Sequence, residues 1–342
     1  MPEPDRAGRG VDLELVICTF DNAQMLDRVL EALARQRPSA GSWSVLIVDN
    51  NSGEDTRHVV ERHLRLGSIP GLRRVEERVQ GLTPARLRGV GVASAEWIAF
   101  VDDDCILDED WVKNAVTFAR LHPDCGGFGG RVLPTYLGKP PAVIGRYGWA
   151  FAEQDLGDEP VTVDCLVGAG MVLNRAALEE SNWASGPFFA DRVGRKLVSG
   201  GDVEIALRVA GTGRPLWYVP ACTLQHVIPA RRTTMSYLVR MTCRLGISYS
   251  LAHALTWQRS RRAWARAAPN DLITSLLSIM KVAKRLGRGP EARQHALLTA
   301  SYECGRWIGM ARVGALLAAG RCDFFGRDRP DWARRGHVVR AG

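Results

Sequence analysis

The chain has 342 residues, 46% hydrophobic and 24% charged, with a formal net charge of +8. This composition excludes a disordered tail, a collagen-like repeat and a disulfide-dense secreted module. The net charge conceals two unlike parts, because residues 231–342 hold 21 Lys/Arg against 6 Asp/Glu, leaving 24 against 31 before them. In chain order, residues 1–11 are polar and lack a secretory pattern, so a flexible start and a cytoplasmic protein are expected. Leu13 to Phe20 reads as a strand, and Leu26, Val29, Leu30 and Leu33 then recur with the spacing of a buried helix stripe. Val45 to Asp49 is a second apolar strand, followed by helical spacing at Val59, Val60, His63 and Leu64. Two βα units in succession favour a parallel sheet covered on both faces.

The alternation continues with a strand over Leu72 to Val75 and a helix through Ala93, where Thr83 and Pro84 fit the N-cap and first helical position. Trp97 to Val101 is the next strand, and it runs directly into Asp102, Asp103 and Asp104. From Asp108 onward, Val112, Ala115, Val116 and Ala119 mark another helix, so the acidic cluster lies on a loop leaving the carboxyl end of a strand. Ligands bind at that edge of an open α/β sheet. After residue 125 the texture turns to Gly and Pro with short strands, and Val161 to Val167 and Met171 to Leu173 flank a bend at Gly168-Ala169-Gly170. A last unit follows: a helix from Asp202 with Val203, Ala206, Leu207 and Ala210 on one face, then the strand LWYVP and the segment CTLQHVIP.

Beyond Pro229 the periodic signals are helical only. Leu276, Ile279, Met280 and Ala283 share one side of a helix, while Lys281, Lys284, Arg285 and Arg288 share another. Trp257 and Trp264 lie seven residues apart on one helical side. No apolar run reaches the roughly 18 residues of a membrane span. Leu272 to Met280 stops at Lys281, and Val313 to Gly320 lies between Arg312 and Arg321. The basic excess suits a polyanion, either nucleic acid or an anionic membrane face. The eight cysteines form no CxxC pair and read as buried, reduced thiols.

Three adjacent carboxylates repel one another, and a loop tolerates them best around a hard, oxygen-preferring cation such as Mg²⁺ or Mn²⁺. A solvated acidic turn capping the next helix is the other reading of that spacing. The sequence as a whole, with LVICTFDN, VLIVDNNSGEDT, GLTPARLRGVGVA, IAFVDDDC, GAGMVLNR and SGGDVEIALRVAGTGRPLWYVP followed by QH, resembles a family 2 glycosyltransferase. The resemblance spans residues 12–230, which it marks as a GT-A catalytic domain before a basic helical region at 231–342. It implies an α/β fold with an open mixed, mainly parallel sheet flanked by helices. It also implies an inverting, metal-dependent transfer of a sugar from a nucleoside diphosphate to an acceptor hydroxyl, in surface polysaccharide or glycolipid synthesis.

Carried over residue by residue, the resemblance gives Thr19, Asp21, Asp49, Arg86, Asp102 and Asp103 to the nucleotide-sugar. Asp104 becomes the direct metal ligand, aided by Asp102 and His226. Asp202 becomes the base that deprotonates the acceptor, although it also fits a plain helix N-cap. Gly201 stands where the family usually has a glutamate, which affects acceptor positioning. Gly168, Gly170 and Glu204 fall on the acceptor side, and Arg231 or Arg232 would clamp the diphosphate from a loop. The expected partners are a nucleoside-diphosphate sugar, a glycan or lipid-linked acceptor, and an anionic membrane surface touched by the basic helices, at the inner face of the cell membrane. The alternatives are a nucleotidyltransferase, whose Gly-rich basic phosphate loop is missing from CTFDNAQ, and a non-catalytic nucleotide-sugar or polyanion binder. Nucleic acid ranks last because no nucleic-acid module is recognisable.

Overall fold

A computed structural model describes residues 12–189, 191, 200–255 and 261–319. The first strands are β1 (Leu13–Thr19), β2 (Trp43–Asp49), β3 (Arg73–Glu76) and β4 (Trp97–Asp102), connected by helices α1 (Ala23–Ala34), α2 (Glu54–Leu66) and α3 (Leu82–Val92). They pair in parallel in the order β3-β2-β1-β4. The sequence then gives β5 (Cys105–Leu107), α4 (Trp111–Leu121), β6 (Gly127–Tyr136), β7 (Val161–Val163), β8 (Met171–Asn174), α5 (Arg175–Glu180), α6 (Gly201–Ala210) and β9 (Leu216–Ile228). β8 runs antiparallel to both β4 and β6, β6 is parallel to β9, and β5 and β7 pair antiparallel with β9. Parallel ladders hold most of the paired residues, which gives the expected mixed, mainly parallel sheet.

The continuous apolar runs of β1, β2 and β4 follow from burial on both faces. Leu15, Ile17, Val45, Ile47 and Ala99 pack with Leu26, Val29, Leu30 and Leu33 of α1 and with Val112 and Val116 of α4. Val16, Leu46, Val48, Ile98 and Phe100 face the opposite layer, with Ala85 of α3 and Ile205, Ala206 and Val209 of α6. Alternate residues of each strand therefore enter different cores, and the one charge buried in β1, Glu14, is paired with Arg73 of β3 at 2.6 Å.

Several local expectations change. The N-cap of α3 is Gly81, not Thr83, whose hydroxyl donates to the Phe189 carbonyl at 2.9 Å. The strand expected over Val161 to Val167 is only β7, and LWYVP and CTLQHVIP form one strand, β9. β5, three residues after the acidic turn begins, has too few residues to show a period.

The basic region forms α7 (Met235–Leu255), α8 (Arg261–Ala283) and α9 (Pro290–Ala318). Gly246 of α7 and Gly305 of α9 let the two helix backbones approach so closely that a Cβ on either would collide with the other helix. Val143, Ile144, Tyr147 and Phe151, from 3-10 turns between β6 and β7, join Leu238, Met241 and Leu298 in a separate core that ties the helices to the sheet. Trp264 packs inward, donating its indole N–H to the Met310 carbonyl at 3.0 Å, so this half of the tryptophan pair is no headgroup anchor. Trp257, Cys322 and the flexible start expected over residues 1–11 lie outside the described residues. The described cysteines are free thiols: Cys105, Cys125 and Cys222 are buried, Cys18, Cys165 and Cys243 are half-buried, and Cys304 is exposed.

Candidate active site

The expected site residues converge at the carboxyl ends of β1, β2 and β4, where the chain leaves the sheet in opposite directions on the two sides of β1. Thr19, the last residue of β1, donates its hydroxyl to Asp103 Oδ2 at 2.7 Å, and Asn22 Nδ2 donates to Asp103 Oδ1 at 2.9 Å. Asp103 thus ties the acidic turn to the start of α1. Burial, then the adjacent Asp104 carboxylate, pushes the Asp103 carboxyl up to about 7 against the pull of those two hydrogen bonds. Thr19 and Asp103, both expected on the nucleotide, have these hydroxyl and carboxylate oxygens engaged with each other. They shape the turn that presents Asp102 and Asp104.

The loops after β1 and β2 are coupled in the same way. Asp21, with a left-handed backbone at φ 49°, accepts from Gly53 N at 2.9 Å, and its own N–H donates to Ser52 Oγ. Asp49 is buried at the end of β2, where it accepts from Arg74 of β3 at 2.8 Å and from Ser52 N at 3.0 Å. Asn50 extends the wall: it accepts from Gly81 N at 2.7 Å and donates to the carbonyls of Glu77 and Val79. That side chain fixes the loop that opens α3, a role its position in a polar turn did not reveal.

Arg86 projects from α3 into the acidic edge. It is buried, donates to Asp191 at 3.1 Å and lies 3.9 Å from Asp102. Burial opposes its charge, and the carboxylates of Asp191, Asp102 and Asp202 more than offset that and raise its pKa. At the edge where contact with base or diphosphate was expected, the guanidinium is the internal counter-charge of these carboxylates. Asp191 was not legible in the sequence. Its carboxylate pairs with Arg86 and also accepts from Gly201 N at 2.8 Å, the first residue of α6. A buried arginine on α3 demands a carboxylate, but nothing in the local pattern around residue 191 marks it as the one.

Asp202 sits in the first turn of α6, where Gly200 is the N-cap. Its carboxylate instead accepts from Gly168 N at 3.1 Å, so the plain N-cap reading does not apply. A Cβ on residue 168 would lie 2.8 Å from Asp202 Cβ and Oδ2, which gives the glycine a physical reason. Gly170 has φ 73° and packs against Leu224 and Trp111; it shapes the bend. Glu204 is fully buried, accepting from the N–H groups of Phe188 and Phe189 and from Arg208 Nε at 2.8 Å. Its carboxylate anchors the 188–189 segment in place of the expected acceptor contact.

Around Asp104 three groups meet. Arg232 Nη1 donates to Asp104 Oδ2 at 2.9 Å, and His226 Nε2 lies 3.3 Å from Asp104 Oδ1. His226 Nδ1 is 2.7 Å from the Phe151 carbonyl, which only accepts, so Nδ1 carries the proton. A neutral imidazole then turns its Nε2 lone pair toward a carboxylate oxygen. Either a second ring proton or a cation between the two resolves that conflict.

Asp102, Asp104 and Cys105 bring ligand atoms within 4.8 Å of one another. Burial raises the Cys105 thiol well above its ordinary range, which leaves it a poor ligand for a hard ion. The donors of that group that suit Mg²⁺ or Mn²⁺ are thus the two carboxylates, with His226 reaching Asp104 from outside it. Buried Arg232 Nε–H finds no acceptor among the described residues, leaving a donor for an anion beside that set. Arg231 is exposed.

Residues 14–180 match the sequence model described as Glycosyl transferase family 2. The chain carries a family 2 glycosyltransferase domain. A glucosyl-dolichyl phosphate glucuronosyltransferase of Haloferax volcanii is 22% identical over 315 residues, covering 89% of this chain and 96% of that protein. Glycosyltransferase AglE of the same organism is 24% identical over 208 residues, 60% of this chain and 64% of its own length. In fold, the chain is similar to a mannosyltransferase of Pyrobaculum calidifontis solved with GDP-Man and Mn²⁺, at TM-score 0.52 and 17% identity over 98% of this chain and 80% of that one. The α/β sheet of the family 2 domain therefore has the GT-A architecture, with a helical C-terminal region added.

Proposed function

We propose that this glycosyltransferase moves a sugar from a nucleoside diphosphate to a hydroxyl of a lipid-linked or glycan acceptor, with inversion, using Mg²⁺ or Mn²⁺. The observation that carries the reading is His226 Nε2 at 3.3 Å from Asp104 Oδ1, with Asp102 and Asp104 bringing ligand atoms together and the Arg232 Nε–H without an acceptor among the described residues. Asp102, Asp104 and His226 would hold the cation, which when bound stabilises the negative charge that develops on the leaving diphosphate. Arg232 offers that diphosphate a charge-assisted donor from the loop after β9, with exposed Arg231 as a second contact.

The loops after β1 and β2, carrying Asp21 and Asp49, would receive the nucleoside. Asp202 takes the proton from the acceptor hydroxyl as its oxygen bonds to the anomeric carbon and the bond to the diphosphate breaks, the electron pair leaving with the phosphate. Attack from the face opposite the leaving group inverts that carbon. The dolichyl-phosphate substrate in the name of the Haloferax relative supports a lipid-linked acceptor, which would bring the enzyme to a membrane surface. The test is a calorimetric screen of UDP-, GDP- and dTDP-sugars with and without Mn²⁺, followed by NMR of the anomeric product. Cation-independent donor binding would overturn the metal assignment, and a retained configuration would overturn inversion.

A further inference from the structure

α8 is amphipathic in the reverse sense. Leu272, Ile273, Leu276, Leu277 and Met280 are 47, 57, 45, 58 and 56% exposed. At about 100° per residue they fall within an arc of roughly 140°. The opposite side of the helix is the one that packs, and it is polar. Ser275 is fully buried and donates to Glu303 of α9, while Asp271 accepts from Arg306 Nη2 at 2.6 Å. Arg306 also donates to Glu303 at 2.9 Å and lies over the Tyr249 ring. The periodicity of Leu276 and Met280 leaves open whether the stripe packs on the sheet domain or faces outward; the structure turns it to solvent. Five neighbouring large apolar side chains on one exposed helix face mark an interaction surface.

The charges around that face identify its partner. Asp271 is the only acidic residue within 261–288, and it is turned to Arg306. Arg262 and Arg266 lie exposed before the apolar stripe, and Lys281, Lys284, Arg285 and Arg288 lie exposed after it. An apolar strip bordered by cations matches the layering of an anionic bilayer, where leucines enter the acyl boundary and Lys/Arg meet the headgroups. A second copy of the chain would set cation against cation. Nucleic acid would satisfy the charges and leave the leucines wet.

We propose that the exposed face of α8 lies in the interface of an anionic lipid bilayer and holds the enzyme there. This binding rests on α8 and not on the transfer chemistry, so a vesicle assay reads it without a donor or acceptor. The full chain is sedimented with phosphatidylcholine vesicles with and without phosphatidylglycerol. The expected result is partition that rises with the phosphatidylglycerol fraction and falls about tenfold or more in Ile273→Glu/Leu277→Glu. Lys281→Glu/Lys284→Glu is expected to lower it by a similar factor. Leu121→Glu, at a site 71% exposed on α4, serves as a control that keeps it. Circular dichroism melts verify that each variant folds. Partition of the wild type that ignores phosphatidylglycerol overturns the proposal. So does a folded Ile273→Glu/Leu277→Glu variant that binds as tightly as wild type, or light scattering showing a dimer that the same variant dissociates.

Discussion

The edge of the sheet and the helical region handle charge in opposite ways. At the edge, Asp102, Asp104 and Asp202 stay part-exposed while two buried arginines, Arg86 and Arg232, lie among them as counter-charge. In the helical region the carboxylates of Asp271 and Glu303 turn inward to Arg306 and Ser275, and the outer face of α8 is left to apolar side chains and cations. The first arrangement retains negative charge for a cation and a proton. The second removes negative charge from a surface suited to anionic lipid. A single net charge for the chain averages over both and describes neither.

The sharpest way to break this contrast is Asp104→Ala. It is expected to lower sugar transfer per folded molecule about 10³-fold or more and to abolish Mn²⁺-dependent donor binding by calorimetry, with a lower melting temperature because buried Arg232 loses its carboxylate. A variant that unfolds but transfers normally when folded would make Asp104 as structural as Glu303. Next, Asp202→Asn is expected to reduce kcat by about 10²- to 10⁴-fold at near-constant donor KM. Wild-type turnover would remove the assigned base.

For the helical side, Gly305→Ala puts a methyl group into the Cys243 backbone and is expected to cost about 1–3 kcal/mol of stability. Denaturant titration measures that loss, and transfer per folded molecule is expected to persist. The smallest effect concerns His295 of α9, whose Nδ1 lies 3.0 Å from the Tyr147 hydroxyl. Burial, then Arg146 and Arg285, lowers its pKa. The unfolded chain therefore binds more protons than the folded one just below the ordinary histidine value of about 6.5, and stability falls as pH drops through that window. His295→Gln is expected to flatten the melting temperature across it; an unchanged slope would assign the acid sensitivity elsewhere.

Local pattern was enough where one period repeated. Leu26, Val29, Leu30 and Leu33 declared α1, and the largely apolar runs of β1, β2 and β4 declared strands buried on both faces. The acidic turn was legible because a strand end is a sequence feature and three adjacent aspartates are rare company. Pairings between distant residues left no such trace. Thr19 with Asp103, Arg86 with Asp191, and Glu204 with the Phe188 and Phe189 amides join groups 84, 105, 16 and 15 positions apart, and no local window contains their reason. Each diverted a side chain expected at the substrate into holding the site together.

Sequence by itself determined the alternation of strands and helices, the place of the carboxylates at a strand end and the division into an acidic and a basic part, since these follow from period and composition along the chain. Tertiary structure alone decided which carboxylates remain available and which are consumed by a buried partner, because burial and hydrogen bonding depend on what packs alongside. It also decided the direction in which α8 faces. A helix with apolar residues on one side and serine and aspartate on the other can be docked by either side, and the Ser275, Glu303, Arg306 and Asp271 network settled that choice by satisfying its polar groups within the fold.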